Sequence, residues 1–91
     1  MRFPQVYDAT TTRADFVRLL PAATGESEVR EIDGEFRGRG WRIRLIPIAP
    51  LAIGLVRLER HRVEIAFEGI DDAAQDAFMN RITMYYQRGG G

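Results

Sequence analysis

The sequence predicts an α+β domain of two layers, a three- or four-stranded antiparallel sheet covered by a C-terminal amphipathic helix, with a short N-terminal helix. Three observations carry this. Apolar and charged residues alternate on both sides of a glycine-containing loop, Arg37-Gly38-Arg39-Gly40. The alternation returns over His61, Val63, Ile65 and Phe67. Beyond Gly69 it gives way to Ile70, Ala74, Phe78, Ile82 and Tyr85, at steps of four, four, four and three. The 91 residues are too few for two ordinary domains, so 1–91 is expected to be one.

The elements follow in order. Phe3, Val6 and Tyr7 read as a short strand or an ordered arm. Thr12 offers an N-cap hydroxyl with Asp15 three residues on, and Phe16, Val17, Leu19 and Leu20 follow. Pro21 and Gly25 read as the exit, so a short helix is expected near 12–20.

A hairpin is expected over 29–47. With Phe36 facing Trp41, Glu35 faces Arg42, Gly34 faces Ile43, Asp33 faces Arg44 and Ile32 faces Leu45. Apolar residues then meet on one face and opposite charges on the other. Slipping by one residue would turn the apolar set outward.

Pro47 and Pro50 end the second strand or confine it to an edge. An irregular apolar segment, 48–58, follows, which is either a bulged strand or a packed loop. A strand over 60–68 and a helix over 71–87 complete the order. Asp71 and Asp72 stand where a helix favours negative charge, and Gly89-Gly90-Gly91 forms a tail. Trp41, Ile43, Leu45, Val63, Ile65, Phe67, Phe78 and Ile82 are the expected core.

Composition excludes several kinds of chemistry. There is no Cys, hence no disulfide, thiolate nucleophile or Cys-held metal, and the single His61 cannot build a His-based metal site. Every basic residue is Arg, which removes Schiff-base and general-base lysines. Ser27 and the Thr and Tyr hydroxyls have no base relay beyond His61, so no catalytic residue, metal or cofactor is assigned and the protein is not expected to be an enzyme. His61, on the apolar side of its strand, reads as a hydrogen-bonded structural residue. No apolar run reaches the roughly 18–20 residues of a membrane span. Met1 to Asp15 lacks the pattern of a secretory leader, so a cytoplasmic location without membrane is the expectation.

Charge is balanced in total, with thirteen Arg against thirteen acids, but it is banded. Glu26 to Glu35 holds five acids and one Arg, whereas Phe36 to Arg62 holds seven Arg and one acid. Val63 to Asn80 holds five acids and no base. Much of the basic band is accounted for if Arg42 and Arg44 neutralise Glu35 and Asp33 across the hairpin.

Three readings of function follow. In the first the chain is a small non-enzymatic interaction domain. Ile46, Ile48, Leu51 and Ile53 supply more apolar surface than a core of this size needs, and would dock a protein partner or a second copy. In the alternative Arg37, Arg39, Arg42, Arg60 and Arg62 bind phosphate or nucleic acid, with Trp41 as a stacking surface. A weaker alternative comes from the tail. Gly89-Gly90-Gly91 resembles the Gly-Gly ends of small sulfur carriers and ubiquitin-like proteins, which implies a carrier role for Gly91. Those families use a β-grasp fold in which a strand leads into the tail, whereas here a helix does.

Overall fold

The structure is a computed structural model, and it describes residues 5–86. Phe3 and the glycine tail, Gly91 included, lie outside the described residues. The fold is α+β, with β1 (Val6–Ala9), α1 (Arg13–Thr24), β2 (Arg30–Ile32), β3 (Glu35–Gly38), β4 (Trp41–Ile53), β5 (Val56–Phe67) and α2 (Asp72–Tyr86). The strands form one antiparallel sheet in the order β1-β5-β4-β3-β2.

The sheet therefore has five strands rather than three or four. The difference arises at two places. Val6–Ala9 pairs with β5, from Val6 opposite Glu64 to Ala9 opposite His61. Asp33 and Gly34, read above as strand, form a turn in which both take positive φ, 53° and 78°. That is the backbone of a two-residue type I′ hairpin, for which Asp-Gly is a preferred pair.

The expected 29–47 hairpin is thus two hairpins, and its register moves by two residues. Gly38, not Phe36, lies opposite Trp41, and the loop shrinks to Arg39-Gly40. A Cβ on Gly38 would lie 2.3 Å from the Trp41 ring, so the indole packs directly on the glycine backbone. Moving by two preserves the faces, which is why Trp41 and Ile43 still point inward. It changes the charge partners. Glu35 faces Arg44, Asp33 leaves the ladder for the turn, and Arg42 faces Arg37.

Both ends of α1 are capped. The Asp15 amide donates to the Thr12 hydroxyl at 3.1 Å, and Gly25, at φ 76°, closes the helix by donating to the Pro21 carbonyl at 2.8 Å. The helix runs through Pro21 instead of stopping near residue 20. Pro21 and Val17, one turn apart, are both on the exposed side, while Leu20 and Ala23 hold the last turn against the core. In α2 the Asp71 carboxylate accepts from the Ala74 amide at 2.8 Å, as the acids at that boundary suggested.

Both helices share one face of the sheet. Trp41, Ile43, Val63, Ile65 and Ile82 are buried, with Leu45, Phe67 and Phe78 half-buried around them. Phe16, Leu20 and Ala23 of α1, together with Phe36 and Met79, complete the core. The covering layer is consequently two helices rather than the C-terminal one alone. Packing against α1 also rotates α2 away from the expected stripe. Ala74 and Tyr85 are exposed, whereas Met79 is buried and Tyr86 stacks on Phe16, with ring centres 4.4 Å apart.

Candidate functional site

The segment 48–58 is a strand pair, not a packed loop. β3 accompanies β4 only to Arg44, and β1 accompanies β5 only from His61 onward. Beyond those points β4 and β5 pair with one another alone, as far as the Gly54-Leu55 turn. Gly54 takes a φ of 59°, as the first central residue of a type II′ turn requires. At about 3.4 Å per residue the thirteen residues of β4 reach about 40 Å, comparable with the 44 Å longest extent of the molecule. The result is a two-stranded ribbon extending from the sheet.

A bulge determines what this ribbon presents. Ile48 lies opposite Arg60 and Leu51 opposite Leu58, so three steps along β4 match two along β5. The extra residue falls at Ala49-Pro50, where a proline is readily accommodated. In an uninterrupted strand Ile48 and Leu51 would point to opposite faces. With the bulge, Ile46, Ile48, Leu51 and Ile53 all lie on the outer face, away from the helices. Val56 and Leu58 join them across the ladder, opposite Ile53 and Leu51.

The outer face is therefore graded from end to end. Its first rung carries Arg30, Arg37 and Arg42, and its second Glu35, Arg44 and Glu64. Ile46 with Arg62 and Ile48 with Arg60 come next, then Leu51 with Leu58, and last Ile53 with Val56. Ile46 and Ile48 are half-buried. Exposure then rises, to 39% at Leu51, 38% at Leu58, 54% at Val56 and 59% at Ile53, and Leu55 in the turn is fully exposed. Single exposed aliphatics are ordinary, but a contiguous set at the end of a projecting element is the pattern of an interaction site.

The five arginines named above fall into two groups. Six residues of strand, about 20 Å at the usual rise, separate the rung of Arg42 from that of Arg60. Arg60 and Arg62 share Asp8, at 3.7 and 3.3 Å. At the other end Arg37 pairs with Glu35 at 2.8 Å, with Arg44 at 4.0 Å from the same carboxylate. The expected pairing of Arg42 with Glu35 and of Arg44 with Asp33 does not form, because of the two-residue register change. The guanidinium groups of Arg39 and Arg42 have no acidic partner among the described residues. Arg30, which sequence reading did not single out, stands beside Arg37 on the neighbouring strand. A cleft of about 700 Å³ opens next to this group, lined by Glu26, Ser27, Glu28, Arg30, Arg37 and Arg39 among others. Its mixed charge offers no uniform anion cradle. Glu26 is already engaged, accepting from the Arg39 amide at 3.0 Å and from the Trp41 indole N–H.

His61 is buried, and its Nδ1–H donates to the Thr11 carbonyl at 2.8 Å, tying β5 to the approach to α1. Tyr7 is the other buried polar group at this end. Among the described residues its hydroxyl finds no partner, and burial pushes its pKa up to about 12. No group of three or more His, Asp or Glu among the described residues is arranged to hold a metal ion. No helix among them is long and apolar enough to cross a membrane. Compared with known proteins, the chain matches no family model and no curated relative.

Proposed function

We propose that the protein is a small non-enzymatic interaction domain that docks a protein partner, a second copy included, through the outer face of its β4–β5 ribbon. One observation supports this above the others: the bulge between Ile48 and Leu51 keeps Ile46, Ile48, Leu51 and Ile53 on one face. A strand whose only task was to close the sheet would end at Arg44 or Leu45, where its other neighbour ends. Instead it continues into water with aliphatic side chains, at a cost in hydration of about 25 cal/mol per Å² of exposed apolar surface. Burying that surface against a partner recovers the cost. A cytoplasmic setting is part of this reading.

The test is sedimentation equilibrium on the native chain and on Ile53→Glu, at low and high salt. Association that persists at high salt and weakens at least about tenfold in Ile53→Glu supports the reading, since a charge at the tip would have to be desolvated. Association unchanged in that variant contradicts it.

The second reading, anion binding, draws on Arg39 and Arg42, the two named arginines whose guanidinium groups have no acidic partner among the described residues, and on Arg30 beside Arg37. Arg60 and Arg62 contribute less, because Asp8 lies between them. Polyanion affinity that falls steeply with salt would favour it. The carrier reading of Gly91 rests on residues outside the described ones, and nothing in the fold supports it.

A further inference from the structure

We infer that the ribbon's partner is a second copy of this chain, joined along the free edge of β5 in an antiparallel two-fold pairing centred on Leu58. This rests on the interaction reading above, narrows it to one occupant, and places the contact along the edge of the ribbon beside its outer face.

β1 covers the edge of β5 only from His61 to Glu64, so among the described residues no strand pairs with Val56–Arg60 on that side. Further along the same edge the Ile65 amide donates to the Gln5 carbonyl at 2.8 Å. Backbone groups alternate sides along a strand, so the odd-numbered residues of β5 turn theirs toward this edge. The extra residue of the bulge is on β4, which leaves the alternation of β5 undisturbed down to the turn. Arg57 and Glu59 therefore present unpaired N–H and C=O groups. The opposite edge of the ribbon is blunted instead. Pro47 lies opposite His61, whose backbone faces β1, so the proline nitrogen faces outward and removes a donor there.

Hydrogen bonding between two such edges requires odd residues to meet odd residues. Three registers satisfy that within the window, with Arg57, Leu58 or Glu59 facing its own counterpart. The first puts two guanidiniums together and the third two carboxylates. Only the Leu58-centred register sets Arg57 opposite Glu59 of the second copy, and by symmetry does so twice. It also sets the two Leu58 side chains beside each other on the outer face. Val56 then lies opposite Arg60 of the second copy, whose aliphatic stem can cover it. The Gly54-Leu55 turn bounds the window at one end and Ala9 at the other, and the two sheets continue into one.

Symmetry makes the test sharp, because one substitution alters two contacts. By sedimentation equilibrium on the full chain, Arg57→Glu and Glu59→Arg are each expected to weaken the dimer at least about tenfold. The double variant R57E/E59R is expected to restore it. Mixing the two single variants is expected to give a heterodimer, since each then meets its complement. Glu59→Pro removes an edge donor that β4 does not use, so it is expected to dissociate the dimer with little change in the chain's own circular dichroism. A native dimer that neither reversal weakens overturns the edge pairing and leaves association through the apolar face standing. A dimer sensitive to both reversals but not to Ile53→Glu upholds the edge and overturns the apolar face. A native chain that stays monomeric to about 100 µM, a concentration that would populate any dimer of micromolar affinity, overturns the second copy as the occupant.

Discussion

Ile48 and Leu51 point to the same side of β4 although three residue steps separate them, because Ala49 and Pro50 together stand opposite one residue of β5. The irregularity at Pro50 thus organises the ribbon's apolar face rather than interrupting it. Removing Ala49 would make the count two against two while leaving Leu51 and Ile53 outward. Pro50 would then face Glu59, whose backbone turns away from β4, so the proline would need no donor. Deletion of Ala49 is therefore expected to preserve both folding and association. Loss of association with folding intact, by sedimentation and circular dichroism, would contradict the assigned faces.

Gly38 has no room for a side chain. With the Trp41 ring 2.3 Å from where a Cβ would stand, Gly38→Ala must displace the indole or the β3–β4 turn. Overpacking of this kind costs typically about 1–3 kcal/mol. Urea unfolding followed by Trp41 fluorescence should show a lowered midpoint and an altered native emission. An unchanged midpoint would mean that the ring packs elsewhere.

The tyrosines at the other end of α2 set an alkaline limit on stability. Burial raises the pKa of Tyr7 to about 12. It raises that of Tyr86 as well, with the nearby Tyr7 as the smaller cause. Both lie above the phenol of the unfolded chain, near 10. The folded state thus holds these protons more tightly, and their contribution is fully present below pH 10 and lost as pH rises toward 12. The chain has no Lys and no Cys to titrate in that window. Thermal midpoints of the native chain should fall between pH 10 and 12, and the fall should be smaller in a Tyr7→Phe, Tyr86→Phe variant.

At neutral pH the two positions should differ. The Tyr86 hydroxyl donates to the Phe16 carbonyl at 2.8 Å, whereas that of Tyr7 is buried with no partner among the described residues. Tyr7→Phe is expected to be neutral or stabilising by up to about 1 kcal/mol, and Tyr86→Phe to cost about 0.5–1.5 kcal/mol. Chemical denaturation of the two variants checks the order, and a larger loss at Tyr7 would reverse it.

The α+β class, the caps at Thr12 and Asp71 and the inward faces of β4 and β5 were legible because each rests on local chemistry or on a period of two. The positions that misled show what such patterns omit. Asp33-Gly34 carries a strong hairpin signal, but it sits inside an alternation that continues through it, and the alternation masked the turn. Charge matching at Glu35 and Arg42 selected a register two residues from the one formed. The packing of Trp41 on Gly38, a contact invisible to a pairwise charge count, favours the other. Pro21 reads as a stop, yet tertiary burial of Leu20 and Ala23 carries α1 past it. For the candidate site, the apolar excess of Ile46, Ile48, Leu51 and Ile53 was apparent from composition. Their common face was not, because it depends on a bulge that only the pairing of β4 with β5 reveals.

Whether a second copy of the chain covers the ribbon is a question of mass. Sedimentation equilibrium of the native chain, from about 1 to 100 µM at low and high salt, tests it most directly. The expected mass rises from the 10.4 kDa of one chain toward that of two, persists at high salt, and falls back toward one chain in Ile53→Glu. A mass of one chain at every concentration, with Ile53→Glu indistinguishable from native, would overturn self-association through the ribbon.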